Sequence, residues 1–163
     1  MALLAPVDIE IIFYTGLGQL PHFNADLDTD SPPEPVLALR HEIANSDGLI
    51  ICSPEYAHGI AGALKNALDW LVSSVEFPEK PVALINTSQR AIHAEAQLRE
   101  ILKTMSTRII DEASITLPLL GRNLDTAGIA ADPDFSVQLQ TALNGFSDEI
   151  RKLIPVGNPE THR

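Results

Sequence analysis

The chain has 163 residues, of which 45% are hydrophobic and 20% charged, and its formal net charge at pH 7 is −11. A chain of this length forms one domain with a substantial core, and the composition is that of a globular rather than a disordered protein. The acidic balance excludes a partner with a phosphate backbone, such as DNA or RNA, because like charges repel.

The N-terminal residues do not match a secretory signal peptide. Residues 1–6 contain no basic residue, and Asp8 and Glu10 interrupt the apolar stretch almost at once. No later run approaches the roughly 18 uninterrupted apolar residues of a membrane helix. We therefore expect a soluble protein without a membrane partner. The single cysteine, Cys52, allows no disulfide within one chain, which fits a cytoplasmic location.

The first predicted element is a strand. Residues 7–14 read Val-Asp-Ile-Glu-Ile-Ile-Phe-Tyr, a segment that alternates at its start and is apolar at its end. The stretch Gly16-Leu17-Gly18 then breaks the pattern. Pro21 occupies the place of the third glycine of a dinucleotide-binding fingerprint and no helical pattern follows, so we interpret this stretch as a plain turn.

A helix is predicted next, ending at about Asn45. Ser31 can cap its N terminus, and Glu34 can complete a capping box with it. The apolar positions that this helix is expected to bury are Val36, Leu39 and Ile43.

The stretch from residue 48 to residue 71 carries the strongest functional signal. A short apolar strand at 48–52, in which Cys52 is expected to be a buried small hydrophobe, stops at the loop Ser-Pro-Glu-Tyr-Ala-His-Gly, residues 53–59. A helix from about Ile60 to Ser74 follows and carries Lys-Asn-Ala-Leu-Asp-Trp at 65–70. Open α/β sheets bind ligands where a strand passes through a tight loop into a helix, because free N–H groups point outward there.

Two further strands alternate with helices in the second half. Residues 81–86 begin with a proline and continue apolar, which predicts a strand, and residues 87–91 form the loop after it. The strand at 108–117 is predicted to bend around Asp111 and Glu112, and residues 118–133 are predicted to be irregular. The helix between these strands is expected to turn inward Ala94, Leu98, Ile101, Leu102 and Met105.

A last amphipathic helix is predicted from about Asp134 to Leu153, followed by a polar tail. Strands that are apolar on both faces and alternate with helices predict a parallel sheet covered on each side. We therefore expect an α/β protein in which 48–52, 82–86 and 108–117 are adjacent strands. The last helix, at 134–153, is expected to bury Phe135, Leu139, Leu143, Phe146, Ile150 and Leu153.

The loop and helix at 53–70 resemble a motif of the NAD(P)H-dependent FMN reductases, a flavodoxin-like family. Its members carry Ser/Thr-Pro-Glu-Tyr, a turn with a glycine, and Leu-Lys-Asn-Ala-Leu-Asp-Trp, which stand here at 53–56, Gly62 and 64–70. The resemblance covers residues 7 to about 153. It implies a flavodoxin-like three-layer sandwich over residues 1–154, with a flexible tail at 155–163.

The chain departs from the family pattern at its start. Family members open with a strand and a Gly-Ser-x-Arg type loop that grips the FMN phosphate, and this first strand is missing here. Three explanations stay open: a start codon placed too far downstream, truncation relative to the family, or a sheet that has closed up. We favour truncation, and expect the 163-residue chain to bind FMN weakly or not at all, since the phosphate is the most strongly anchored part of FMN.

The resemblance implies two loops that bind FMN, with NADPH or NADH as electron donor. The first, Pro54, Glu55, Tyr56, Ala57 and His58, would run along the ribityl chain and the isoalloxazine ring, largely through backbone groups. Ala57 stands where many members carry Asn. The second loop would meet the pyrimidine edge of the ring, where Arg90 is the candidate to stabilise the negative charge of the reduced flavin; it comprises Thr87, Ser88, Gln89 and Arg90.

Simpler interpretations compete at several of these residues. Tyr56 could pack on the sheet edge, His58 could bond a backbone group at a helix start, and Arg90 could be a solvated surface residue. No residue is assigned a catalytic role of its own, since the cofactor carries the chemistry. The histidines His41 and His93 show no ligand spacing with Cys52 or with acidic residues, so no metal site is expected.

The resemblance therefore implies an oxidoreductase that passes hydride from a nicotinamide to flavin, and electrons on to a flavin, quinone or similar small-molecule acceptor. The alternative is a non-catalytic flavodoxin-like subunit that no longer holds FMN. A homodimer or homotetramer is expected, associating through the helix that carries residues 65–70. Trp70 is expected to pack at that subunit interface.

Overall fold

A computed structural model describes residues 1–153, and the predicted tail at 155–163 lies outside them. The main sheet contains β1 (Leu49–Cys52), β4 (Pro81–Asn86), β5 (Arg108–Ile109) and β6 (Ile115–Thr116), all parallel. β4 lies in the middle, with β1 on one side and β5 and β6 in succession on the other. A small antiparallel hairpin joins β2 (Glu55–Tyr56) and β3 (Gly59–Ile60). The helices are α1 (Glu34–Ala44), α2 (Gly62–Leu71), α3 (Ile92–Thr104), α4 (Thr126–Ala131) and α5 (Pro133–Leu153).

Both faces of the sheet are covered by helices. Every residue of β4 is buried, and successive residues point to opposite faces. Val82 and Leu84 pack with α1, α2 and α3 in the larger core cluster. Ala83 and Ile85 pack against residues of α5, among them Phe146. The predicted order of adjacent parallel strands and the three-layer arrangement are therefore confirmed.

The predicted strand at residues 7–14 is wrong. The segment pairs with no strand among residues 1–153, and Ile12 and Phe13 are 70% and 73% exposed. Alternation in a sequence shows that a segment could form a strand, but the N–H and C=O groups of a strand also need a neighbouring ladder. Here β1 pairs only with β4 among the described strands, and residues 7–14 do not extend the sheet.

Several helix boundaries differ from the predictions. The predicted Ser31 capping box does not form, because α1 begins after Pro33 and no side chain caps it. The second helix begins at Gly62 rather than Ile60, since Ile60 belongs to β3. The stretch at 118–133 contains α4, whose N terminus is capped by the Asp125 side chain. The last helix does bury Phe135, Leu139, Leu143 and Phe146, whereas Leu153 is exposed.

The expected interface role of Trp70 is also wrong, because its side chain is fully buried within one chain. Its indole N–H donates to the Pro21 carbonyl at 2.8 Å, and the Phe23 ring packs edge-on with centroids 5.0 Å apart. Asn66, one turn earlier on α2, accepts from the Phe23 N–H and donates to the same Pro21 carbonyl. Asn66 and Trp70 of this motif thus hold the segment that covers α2, whereas Lys65 and Asp69 pair with each other.

No helix among residues 1–153 combines the length and the apolar character needed to cross a membrane.

We predict that Asn66→Ala lowers the free energy of unfolding by about 1–2 kcal/mol, because it removes both hydrogen bonds to the Pro21–Phe23 segment. Urea unfolding followed by far-UV circular dichroism measures the loss. Asn144→Ala, on the exposed face of α5, is the matched control and should leave the midpoint nearly unchanged. An equal loss in both variants would show that the clamp on residues 21–23 contributes nothing specific.

Candidate cofactor site

The two predicted cofactor loops leave the sheet at the same edge. β1 and β4 are parallel and in register, with Cys52 opposite Ile85, so the loops at 53–58 and 87–90 start side by side at the carboxyl ends of their strands. The segment after β6 joins them there, since the Leu119 N–H donates to the Thr87 carbonyl at 3.2 Å. This is the edge at which open parallel sheets bind ligands.

The first loop folds as a hairpin that the sequence did not predict. Tyr56 pairs with Gly59, and the two residues between them, Ala57 and His58, have φ values of 49° and 59°. Two consecutive positive φ angles are the geometry of a type I′ turn, which favours Asn-Gly. Ala57 and His58 adopt this left-handed conformation at a steric cost, because both carry a Cβ. Ala57 stands where the resemblance implies Asn, a residue that tolerates the conformation better.

The Glu55 side chain fastens the hairpin to the start of α3. Its Oε2 accepts from the backbone N–H groups of Ala94 and His93, at 2.9 and 3.0 Å, and its Oε1 lies 3.1 Å from His58 Nδ1. The carboxylate therefore caps a helix from another part of the chain, satisfying two N–H groups that no residue of the helix can reach. These bonds, led by that from Ala94, hold the pKa of Glu55 below its ordinary value.

Two histidines meet beside this cap. The rings of His58 and His93 lie edge to face with centroids 4.5 Å apart, and His58 is exposed. Tyr56, in the same hairpin, is 65% exposed, so its ring is presented to solvent. The sheet-edge packing considered for Tyr56 therefore leaves most of the ring free.

A buried asparagine at the start of the second loop shapes this loop, in a role that the sequence did not predict. Asn86, the last residue of β4, donates to the Ala91 carbonyl and to the Glu95 carboxylate, and its Oδ1 accepts from the Ser88 N–H at 2.9 Å. A buried amide must find such partners. The available signal was a polar residue closing an otherwise apolar strand. Held from below in this way, the loop exposes Thr87, Gln89 and Arg90.

The charges near the site are mostly paired. Glu95, which accepts a hydrogen bond from Asn86, forms an ion pair with Arg99, and Arg99 also pairs with Asp111. Arg90, in contrast, has no carboxylate within 4.0 Å among residues 1–153. Its charge is therefore free to act on a bound group.

The arrangement suits a flat heterocycle lying over the outside of the loops. The cavity between the loops, the sheet and α3 measures about 20 Å³ and is lined by Ile60, Leu84 and Leu98, among others. That is room for about one water molecule. The exposed residues of the two loops include Tyr56, Gln89 and Arg90, that is, an aromatic ring, an amide and a cation.

Cys52, expected to be buried, lies exposed at the end of β1, although neighbouring groups displace enough water to raise the pKa of its thiol. The expectation is wrong because β1 is only half-buried, unlike β4. Within residues 1–153, no three side chains of His, Cys, Asp or Glu are placed to hold a metal ion.

Residues 1–119 match the sequence model of the NADPH-dependent FMN reductases. The chain belongs to that family. The chain is 32% identical over 157 residues to a 2-hydroxy-1,4-benzoquinone reductase from Burkholderia sp, covering 93% of this chain and 85% of that protein. It is 28% identical to a quinone reductase from Escherichia coli strain K12, covering 92% and 84%.

A solved structure gives the same result for the fold. The chain is similar in structure to FerB, a flavoenzyme NAD(P)H:(acceptor) oxidoreductase from Paracoccus denitrificans, with a TM-score of 0.73. The two sequences are 32% identical, and the match covers 83% of this chain and 78% of that one. The flavodoxin-like fold is therefore confirmed. Membership of the family also makes the protein an NAD(P)H-dependent oxidoreductase that works with FMN.

We predict that Glu55→Gln lowers the free energy of unfolding of this protein at neutral pH, because a neutral amide replaces the charged carboxylate that caps α3. The folded-state pKa of Glu55 lies below its ordinary value of 4.5, so the stability contributed by the carboxylate is present above that pH and is lost as the pH falls through the folded pKa. The difference between wild type and variant should therefore shrink below pH 4.5.

Urea midpoints measured across this pH range test the prediction, with Glu100→Gln, at an exposed position of α3, as the control that should show no such trend. A difference that is independent of pH would contradict the role of the charge.

We also predict that Ala57→Gly raises the free energy of unfolding by roughly 1 kcal/mol, since glycine adopts positive φ without a Cβ clash. The same exchange at Ala38, exposed in the middle of α1, should lower it by about 0.5–1 kcal/mol. Thermal unfolding of both variants gives the two signs. A loss at Ala57 as well would show that the turn is not strained.

Proposed function

We propose that this protein oxidises NAD(P)H and passes the electrons to a quinone-type small molecule. In the overall reaction, NAD(P)H and a proton reduce the quinone to the hydroquinone and leave NAD(P)⁺. FMN supplies the hydride-accepting and electron-donating chemistry when bound. The likeness to a benzoquinone reductase over 93% of the chain supports the choice of acceptor.

The observation that carries the proposal is the junction of the two loops at the carboxyl edge of the sheet. The hairpin containing Tyr56 and the loop containing Arg90 are joined through Glu55 and the first turn of α3. Prearranged loops lose little entropy when a ligand binds. We assign the ribityl chain and ring to Pro54–His58 and the pyrimidine edge to Thr87–Arg90, through backbone N–H groups and the Arg90 guanidinium.

Arg90 is assigned the role of stabilising negative charge. Glu55 already occupies the N–H groups of His93 and Ala94, so the start of α3 offers little to a second anion. An unpaired guanidinium in the adjacent loop can compensate, and an ionic donor in a partly dehydrated site stabilises developing charge strongly. In a chain of net charge −11, a local cation also offsets a repulsive field.

We predict that, with FMN at saturation, the protein oxidises NADPH in the presence of a benzoquinone much faster than FMN alone does. Arg90→Ala should lower kcat/KM about tenfold, the loss of one charge-assisted hydrogen bond, and Arg90→Lys should keep part of the activity. Arg108→Ala, at the opposite edge of the sheet, is the matched control. Equal rates with and without protein would refute the function, and a fully active Arg90→Ala would refute the role of Arg90.

Two further features belong to the proposal. We assign the protein to the cytoplasm, where NAD(P)H is produced.

We also propose a homodimer or homotetramer formed through the end of α2 and the residues after it. Val72 and Val75 expose apolar surface there that the fold leaves uncovered, in place of the buried Trp70. Sedimentation of wild type and of Val75→Asp measures the association, which the charge should weaken.

A further inference from the structure

The β2–β3 hairpin is seated on one face of α3 by contacts at two levels. At the first turn, the N–H groups of His93 and Ala94 bind Glu55, and the His93 ring meets His58. One turn further on, the Oε1 of Gln97 accepts from the backbone N–H of Ile60 at 2.9 Å. Residues 93 and 97 are neighbours on the same helix face, so the hairpin is held along its length rather than at one point.

Two observations show that Gln97 packs closely against the hairpin. Ile60 is buried and Gln97 is exposed, so without the amide the Ile60 N–H would depend on water reaching it from the open side. Gly59 lies so close that a Cβ at this position would stand 3.1 Å from Gln97 Oε1. The amide is therefore in tight contact with the hairpin backbone at two successive residues.

We propose that Gln97 is a positioning residue for the cofactor site. By fixing the tilt of the hairpin on α3, it sets the separation between Tyr56 in the first loop and Arg90 in the loop that precedes the helix. The inference rests on the proposed function, because it assumes that the two loops contact one FMN molecule.

Gln97→Met tests the role, since methionine has similar length and cannot accept the Ile60 N–H bond. In the cofactor-free protein, amide hydrogen exchange at residues 55–60 should become about tenfold faster, the loss of one hydrogen bond, while exchange in β4 stays unchanged. The Kd for FMN, measured by flavin fluorescence, should rise by a similar factor. Gln97→Glu keeps an accepting oxygen and should restore both, and Gln140→Met, on the exposed surface of α5, is the matched control.

Gly59→Ala probes the same contact from the hairpin side. The added Cβ would stand 3.1 Å from the Gln97 amide oxygen, which must shift slightly while the sequence of α3 stays unaltered. This variant should therefore weaken the same bond and show faster exchange and weaker FMN binding, to a smaller extent than Gln97→Met, even if Gln97→Met folds poorly. In the double variant the two effects should not add, because each acts on the same bond.

The failures can be told apart. Binding to the wild type is expected to be weak, because the family's phosphate loop is missing, so the titration is carried to saturating FMN. If the wild type then bound no FMN, the proposed cofactor site would be wrong, and this role of Gln97 with it. If wild type bound FMN and Gln97→Met and Gly59→Ala bound it equally well, only the role of Gln97 would be wrong. Faster exchange with an unchanged Kd would also overturn it, since the contact would then matter for stability alone.

Discussion

The cap that Glu55 places on α3 is the constraint on which the site depends. A carboxylate from the loop after β1 satisfies two N–H groups at the start of the helix after β4. Without it, these groups would need another acceptor or water, and the hairpin would lose its strongest attachment. Because the loops belong to neighbouring strands, the cap converts adjacency at the sheet edge into a fixed geometry. The motif Ser-Pro-Glu-Tyr therefore has a structural reason for its glutamate, whatever its backbone does for a cofactor.

The sheet supplies the platform for this geometry. β4 is buried on both faces and pairs with β1 on one side and with β5 and β6 on the other. Its last residue, Asn86, closes the apolar strand with an amide whose partners all belong to the following loop and helix. The most rigid strand thus directly supports the loop that carries Arg90. The polar motif on α2 serves a different end, since Asn66 and Trp70 hold the segment covering that helix.

The architecture could be predicted from local patterns, and the site only in part. Runs such as residues 81–86 are apolar on both faces, which only a sheet covered on each side can accommodate. The pattern at 7–14 was equally strand-like, but a strand also requires a partner, which a local pattern does not contain. The positions of the two loops followed from the strand order. Their interior followed from tertiary contacts: the Glu55 cap and the Gln97 bond join residues up to 39 positions apart.

The two-residue turn of the hairpin also limits which insertions the sequence of this protein can accept during evolution. In a hairpin the side chains alternate between faces, so inserting one residue between Pro54 and Gly62 would turn Glu55 or Ile60 away from α3. Surface loops usually tolerate such changes in length. Here a single inserted residue would break one of the two attachments of the hairpin to α3, the Glu55 cap or the Gln97 bond. We conclude that this surface segment can vary in sequence at its exposed tip, while its length is fixed as firmly as that of a core strand.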